Sequence, residues 1–263
     1  MVDKALSKDD LIEIFKEVGV KPGMILEVHS SLSKFGYIIG GAQTFNDALI
    51  ELLGYNGTII MPMQCASNNE PSFFEAPAID RSLYAKYRDN LPAFDKFHTD
   101  SEHMGRVVEN LRRRPKAVVS PHPNCAFVAY GKYAKILCSH QSLDFALSNT
   151  SPLGRLYELK AHCLLAGVSY DNMTALHLSE YLSAIRPIYL QGAKMLIDGD
   201  ASWQKYLEID LNSEDFLAIG QILEEKKLVT KVALARGEMR LMRIDVAVDE
   251  GMHYFDKLLS YYR

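Results

Sequence analysis

A strand–loop–helix–strand pattern over residues 24–61 restricts this chain more than any other feature. Residues 24–28 are a short apolar run that delivers His29-Ser30-Ser31 at its end. Gly40-Gly41 then leads into a helical pattern from 42 to 53. After the turn at 54–57, residues 58–61 form a second apolar run, stopped by Pro62. Two buried strands joined through a helix lie parallel in one sheet, because the crossover must bring the chain back to the same edge. The predicted class is α/β, with a central, mostly parallel sheet flanked by helices.

A second stretch, residues 163–181, repeats the logic. Residues 163–168 read as a buried strand, and the chain turns over 167–172, where Asp171 and Asn172 are both good helix N-caps. Thr174, His177, Glu180 and Tyr181 follow at three- and four-residue spacings and share one helix face. A histidine just inside a helix N-terminus sits near a partial positive charge that favours neutral imidazole. Neutral imidazole accepts protons, so His177 is a candidate general base. Glu180, one turn on, is placed to orient His177 or to bind an amine. Asp171 is placed to cap the helix, to hold the imidazole tautomer or to meet a cationic acceptor.

The remaining pattern adds an amphipathic helix at 7–18 and an irregular segment at 64–102 with one short helix near 81–88. A helix at 104–113 follows, with Ser101 as its cap. After residue 186, strands are predicted at 188–190, 195–197, 228–234 and 240–244, with Asp198-Gly199 as a hairpin turn and helices at 213–226 and 247–261. These are antiparallel additions near the C-terminus. With 263 residues and no clean linker, a single domain over 1–263 is expected.

Composition narrows the partners. Net charge is −4 and the only short basic run is Arg112-Arg113-Arg114, which argues against nucleic acid. Residues 1–20 are charged and amphipathic rather than signal-like, and no apolar run reaches the ~18 residues a membrane span needs. Four scattered cysteines without a Cys-x-x-Cys pair point to free thiols in a reducing cytoplasm. No His-Glu-x-x-His occurs, and His98 and His103 do not share a helix face, so no metal is expected. Residues 64–102 hold seven acidic and four basic side chains, a tilt that suits a cationic ligand. A homodimer is compatible with the chain.

Taken together, several motifs resemble the aminoglycoside 3-N-acetyltransferase family. They are Val28-His29-Ser30-Ser31-Leu32-Ser33, Gly40-Gly41-Ala42, Gly57-Thr58-Ile59-Ile60-Met61-Pro62 and Pro92-Ala93-Phe94-Asp95. Met104-Gly105, Ser120-x-His122-Pro123, Ser151-Pro152-Leu153 and Thr174-x-x-His177-Leu178-x-Glu180 complete the set, in the family's order over about residues 8–260. The resemblance implies acetyl-CoA as co-substrate, an amine acceptor on a 2-deoxystreptamine ring, and His177 as the catalytic histidine. It also implies coenzyme A contacts from His29, Ser30, Ser31, Leu32, Gly40 and Gly41, from Ser101 and Met104, and from the Ser120–His122 loop. By residue chemistry alone, the 29–41 stretch is a phosphate or pantetheine cradle or an ordinary capped turn. The chain departs from the family at Phe73, Phe74, Leu83 and Tyr84, in a region that usually holds tryptophans, and at Val119, usually arginine. A different amine acceptor is therefore an alternative.

Three rival readings come from the residues. Gly167-Val168-Ser169-Tyr170-Asp171 nearly forms a serine-hydrolase elbow, with Asp where the turn wants Gly. Cys125 near His122 offers acyl transfer through a thiol. A homologue that binds coenzyme A without turnover is the third.

Overall fold

The computed structural model describes residues 5–75, 77–102 and 104–261; His103 and the terminal residues of the expected domain lie outside that set. The chain begins β1 (Ala5–Leu6), α1 (Lys8–Val18), β2 (Ile25–Ser30), β3 (Tyr37–Ile38), α2 (Ala42–Leu53) and β4 (Thr58–Gln64). It continues α3 (Tyr84–Asn90), α4 (Gly105–Arg112), β5 (Val118–Val119), β6 (Cys125–Gly131), α5 (Ala134–Cys138), α6 (Pro152–Glu158) and β7 (His162–Ala166). It closes with α7 (His177–Ser183), β8 (Ile188–Ile197), β9 (Asp200–Ile209), α8 (Phe216–Glu225), β10 (Thr230–Leu234), β11 (Gly237–Arg243) and α9 (Ile244–Tyr261).

Local chemistry accounts for the element ends. Ser7 Oγ accepts from the Asp10 N–H while the Asp10 carboxylate accepts from the Ser7 N–H, a capping box that starts α1. Gly19, at φ 109°, ends that helix in the left-handed region. Ser151 caps α6, with Pro152 at its first position.

The main sheet runs β10-β11-β7-β2-β4-β6-β5. β7, β2 and β4 pair in parallel at its centre. β11 and β6 run against their neighbours, so β10, β7, β2, β4 and β5, five of seven strands, point one way. Antiparallel additions thus occur near the C-terminus, as expected, and also at the opposite edge. Pro62 does not stop β4, contrary to expectation. Cys65 N–H donates to Asn124 O across the β4–β6 pair, and by two-residue alternation the Pro62 nitrogen faces away from β6. On that side β2 pairs only as far as Ile60, so the missing N–H breaks no ladder bond.

The two short strands expected after residue 186 are one ten-residue strand, β8, paired along its length with β9. Gly192 interrupts the apolar pattern of β8 because the Trp203 indole lies over it, where an added Cβ would fall 2.6 Å from the ring nitrogen. Helices cover both sheet faces. Phe15, Phe45 and Leu111 of α1, α2 and α4 pack in one buried cluster, while Leu153, Leu178, Phe216 and Phe255 of α6–α9 pack in the other. No helix among the described residues is long and apolar enough to cross a membrane.

Gly220 of α8 lies against the Tyr170 ring, and a Cβ there would sit 2.1 Å from a ring carbon. Tyr170 is buried and its hydroxyl donates to Glu224 Oε1 at 3.0 Å, so the ring has little freedom to move. Gly220→Ala is expected to destabilise the fold by roughly 1–3 kcal/mol through overpacking. Urea unfolding measures this, and unchanged stability would show that the ring shifts without cost.

Candidate functional site

The carboxyl ends of two central parallel strands meet at one edge. Ser30 and Ala166 are register partners, and the Ser31 N–H donates to Ala166 O at 2.9 Å. Beyond them the loops cross at Gly167 (φ 79°), where an added Cβ would fall 2.7 Å from Lys34 Cβ and 3.0 Å from Ser31 O. The loop carrying His29–Ser33 and the segment leading to His177 are thereby packed together at the end of the sheet where α/β folds place ligands.

His177 is the first residue of α7; Thr174–Leu176 before it is a 3₁₀ turn rather than part of the helix. Glu180, three residues on, is fully buried and its Oε2 is 2.5 Å from His177 Nδ1. Glu180 Oε1 accepts from Arg186 Nε–H at 2.5 Å and from the Asn212 N–H at 3.1 Å. Arg186 also binds Asp215 Oδ2 at 2.6 Å, and Asp215 accepts from Tyr254 Oη–H at 3.2 Å. A carboxylate surrounded by donors acts as an acceptor on every side, which assigns an imidazole proton to Nδ1 and leaves Nε2 outside the pair. Phe216 packs on the imidazole with ring centroids 4.8 Å apart. The His177 side chain keeps 13% exposure, enough for one face to reach a ligand.

Asp171 neither caps the helix nor pairs with the imidazole. It is exposed, its Oδ1 accepts from Asn172 Nδ2, and the 3₁₀ turn Tyr170–Asn172 is preceded by Ser169 at the cap position with no side-chain cap bond. The position beside the imidazole belongs to Glu180. Arg186, Asn212, Phe216 and Glu208 were not anticipated. Glu208 on β9 accepts from the Tyr181 hydroxyl at 2.6 Å and from the Ala146 and Ile209 N–H groups. Burial pushes its carboxyl up, against these hydrogen bonds and the nearby His177, which pull it down.

The residues expected to touch coenzyme A divide into two groups. Ser31 and Leu32 lie on the loop after β2, with Ser31 Oγ 3.1 Å from Ser33 Oγ. Gly40 and Gly41 have φ of 76° and 58°, and Gly41 is the N-cap of α2. His29 and Ser30 end β2, with His29 turned inward so that Nε2 stands 3.5 Å from Glu27 Oε2. The second group is spent on the fold. Ser101 does not cap α4: its hydroxyl donates to Glu109 Oε1 at 2.5 Å, and α4 starts at Gly105 with Met104 packed on the first core cluster. Ser120 is fully buried, donating to Gln141 Oε1 at 2.7 Å and accepting from the Phe127 N–H at 2.8 Å. His122 is 2% exposed; its Nδ1 accepts from the Asn124 and Cys125 N–H groups, and its Nε2–H donates to Leu143 O at 3.1 Å. With their side-chain polar atoms engaged within the fold, Ser120 and His122 shape the loop.

Burial drives His122 down to about 4, against the Leu143 hydrogen bond. The folded protein therefore keeps this ring neutral while the unfolded chain protonates near 6.5. Above that pH the term is constant. As pH falls from 6.5 towards 4 the unfolded state binds the extra proton and stability is lost, by at most about 3 kcal/mol. Urea unfolding between pH 7 and 4.5 is expected to show a steeper acid loss for the wild type than for His122→Gln; parallel profiles would refute it.

The geometry weighs against two rivals. Ser169 has φ −98° and ψ 179°, extended backbone rather than a strained nucleophile elbow, and position 171 remains Asp. Cys125 is held protonated by burial, first, and by Glu208, and His122 has no free nitrogen to take its proton. In the 64–102 segment part of the acidic tilt is consumed locally: Glu70 pairs with Arg88, Asp80 accepts from Ser82, and Asp95 accepts from the Phe97 and His98 N–H groups. Glu75 and Glu102 line a cleft walled by Phe73, Phe74 and Tyr87.

Comparison with known proteins bears on the same residues. A family model described as aminoglycoside 3-N-acetyltransferase matches residues 28–256. The SPbeta prophage-derived aminoglycoside N(3')-acetyltransferase-like protein YokD of Bacillus subtilis is 33% identical over 250 residues, covering 95% of this chain and 92% of its own. Its crystal structure superposes with a TM-score of 0.95 over 98% of this chain and 96% of that one, at 32% identity. Aminoglycoside N(3)-acetyltransferase IX of Micromonospora chalcea is 30% identical over 94% of this chain and 87% of its own. A structure described as AAC-IIIb binary with CoASH shares the fold at 22% identity, with a TM-score of 0.87 and 97% of both chains covered. The strand-end loops, the His177–Glu180 pair and these matches along almost the whole chain lead to one conclusion: the chain belongs to the aminoglycoside 3-N-acetyltransferase family.

Proposed function

We propose that this chain transfers the acetyl group of acetyl-CoA to an amine of a small cationic acceptor, of the class of the 3-amino group of a 2-deoxystreptamine aminoglycoside, by direct attack. The observation that carries the reading is the contact of His177 Nδ1 with buried Glu180, which supports a ring whose Nε2 faces the ligand and takes a proton. An alkylammonium has no lone pair, so the acceptor reacts as its free amine. Its nitrogen attacks the thioester carbonyl, the C–N bond forms, and collapse of the tetrahedral adduct breaks the C–S bond. The proton on nitrogen passes to His177 Nε2 and then to the departing thiolate, whose own thiol pKa near ~8.5 makes strong acid help unnecessary. Glu180 keeps the ring oriented and places a negative charge beside it as the imidazolium forms.

The loop after β2 and the Gly40-Gly41 entry to α2 supply the donor surface in this reading, through backbone N–H groups and the Ser30 and Ser31 hydroxyls. The cleft bearing Glu75 and Glu102 with its aromatic walls suits a cation. The family's tryptophans in this stretch are replaced by Phe73 and Phe74, which line the cleft, and by Leu83 and Tyr84, which do not, and this favours an acceptor differing from the usual aminoglycosides. The test is release of the coenzyme A thiol from acetyl-CoA across a panel of aminoglycosides and simpler amines. Stimulation by at least one amine is expected, and no stimulation by any of them overturns the acetyl-transfer reading.

A further inference from the structure

Glu27, His29 and Cys163 form a cluster that acetyl transfer does not use. Glu27 and His29 are two apart on β2 and project to the same face, and Cys163 on β7 is the register partner of Glu27. Their ligand atoms all lie within 4.8 Å of one another. Glu27 and Cys163 are fully buried and His29 is 9% exposed. The polar company of the Glu27 carboxyl is confined to the cluster itself: Oε2 stands 3.5 Å from His29 Nε2 and the Cys163 thiol lies beside the carboxyl, while among the described residues no group outside the three bonds the Glu27 carboxyl or His29 Nε2. Their neighbours across the sheet are apolar: Ile60 stands opposite Glu27 and Leu165 opposite His29, both buried. A carboxyl group in an apolar layer whose only polar company is one imidazole and one thiol is costly, and native cores resolve such a group by closer pairing or by a metal.

We propose that Glu27, His29 and Cys163 bind a divalent transition metal, with zinc as the best match. Thiolate, imidazole and carboxylate are the donors zinc takes. Thiolate and carboxylate together carry two negative charges, so the bound set is neutral as a whole, as an apolar layer requires. With Glu27 bidentate, the site offers four donor atoms: Sγ, Nε2, Oε1 and Oε2. Donors from different residues on one zinc lie roughly 3.3–3.8 Å apart, with the two Glu27 oxygens at the narrower carboxylate bite, so binding draws the three side chains together by up to about 1–1.5 Å. A thiol binds zinc as its thiolate, so coordination by Cys163 releases a proton to solvent and affinity rises with pH. The ion would tie β2 to β7 directly below the loops carrying Ser31 and His177. Sequence spacing could not show the site, because parallel pairing brings its third ligand from a strand far along the chain.

The test does not depend on turnover. The full chain is produced in minimal medium supplemented with cobalt, and a metal-free sample is titrated with Co(II). One cobalt per chain is expected, with thiolate-to-cobalt absorption in the near ultraviolet and strong visible bands of tetrahedral cobalt. Cys163→Ala and the bulkier Cys163→Val, which guards against a cavity that prevents folding, lose the thiolate band; Glu27→Leu weakens binding by ~10-fold or more. Cys65→Ala, another buried thiol, keeps the spectrum. Absence of the bands in the wild type under both conditions, or their survival in a folded Cys163 variant, overturns the proposal.

Discussion

Replacing His177 with glutamine is expected to lower kcat for acetyl transfer by about 10²–10⁴-fold, the span a positioned general base supplies. Glutamine suits the test because its amide N–H can still donate to Glu180 Oε2, so the buried carboxylate keeps a donor on that side while the basic lone pair disappears. The partners of Glu180 Oε1, Arg186 and the Asn212 N–H, are untouched. The loss should therefore fall on kcat, with the KM for acetyl-CoA and the urea midpoint close to wild type. Initial rates of thiol release with the best acceptor from the amine panel measure it. A variant that keeps its rate within a few-fold would place the base elsewhere while leaving acetyl transfer intact. Glu208 would then be the next group to vary, since it lies close enough to His177 for their charges to interact.

How far such a site is legible from sequence depends on whether its contacts are local. The His177–Glu180 contact follows from a spacing of three on one helix, and α1 follows from Ser7, Asp10 and its apolar stripe, because each of these is set within a turn or two. The same reasoning fails where the sheet or a chain reversal brings partners together. Arg186 reaches back to Glu180 only because α7 ends at Ala184 in the left-handed region (φ 51°), a turn that neither Gly nor Asn advertises. Glu208 lies on β9, a strand hidden because Gly192 broke the pattern of its partner to make room for Trp203. The Ser120-x-His122-Pro123 motif was visible, but its polar atoms point inward to Gln141, Leu143 and the backbone rather than outward to a ligand. Motifs identify residues that matter; burial and hydrogen-bond accounting decide what they are for.

Removing Arg186 is expected to have the largest effect on the fold. Its guanidinium bridges Glu180 and Asp215, donates to Asn212 O at 3.1 Å and stands 5.4 Å over the Phe255 ring. Burial opposes its charge, but the hydrogen bonds to Glu180 and Asp215 outweigh it and hold the guanidinium above its usual range. In Arg186→Met the methionine stem keeps the packing on Phe255, so the change isolates the charge. Glu180, with no exposed side-chain surface, is then a buried carboxylate without a cation, and breaking such a pair costs roughly 3–5 kcal/mol. Arg186→Lys should recover only part of this, because one ammonium cannot reproduce the flat fork that reaches two carboxylates and a carbonyl. Urea unfolding gives the stability, and thiol-release kinetics give the second readout. Glu180 freed of Arg186 no longer holds His177 in one orientation, so kcat should fall in Arg186→Met while the KM for acetyl-CoA stays near wild type. Stability within about 1 kcal/mol of wild type would mean that the pair behaves as a solvated surface bridge, and that the orientation of His177 does not depend on it.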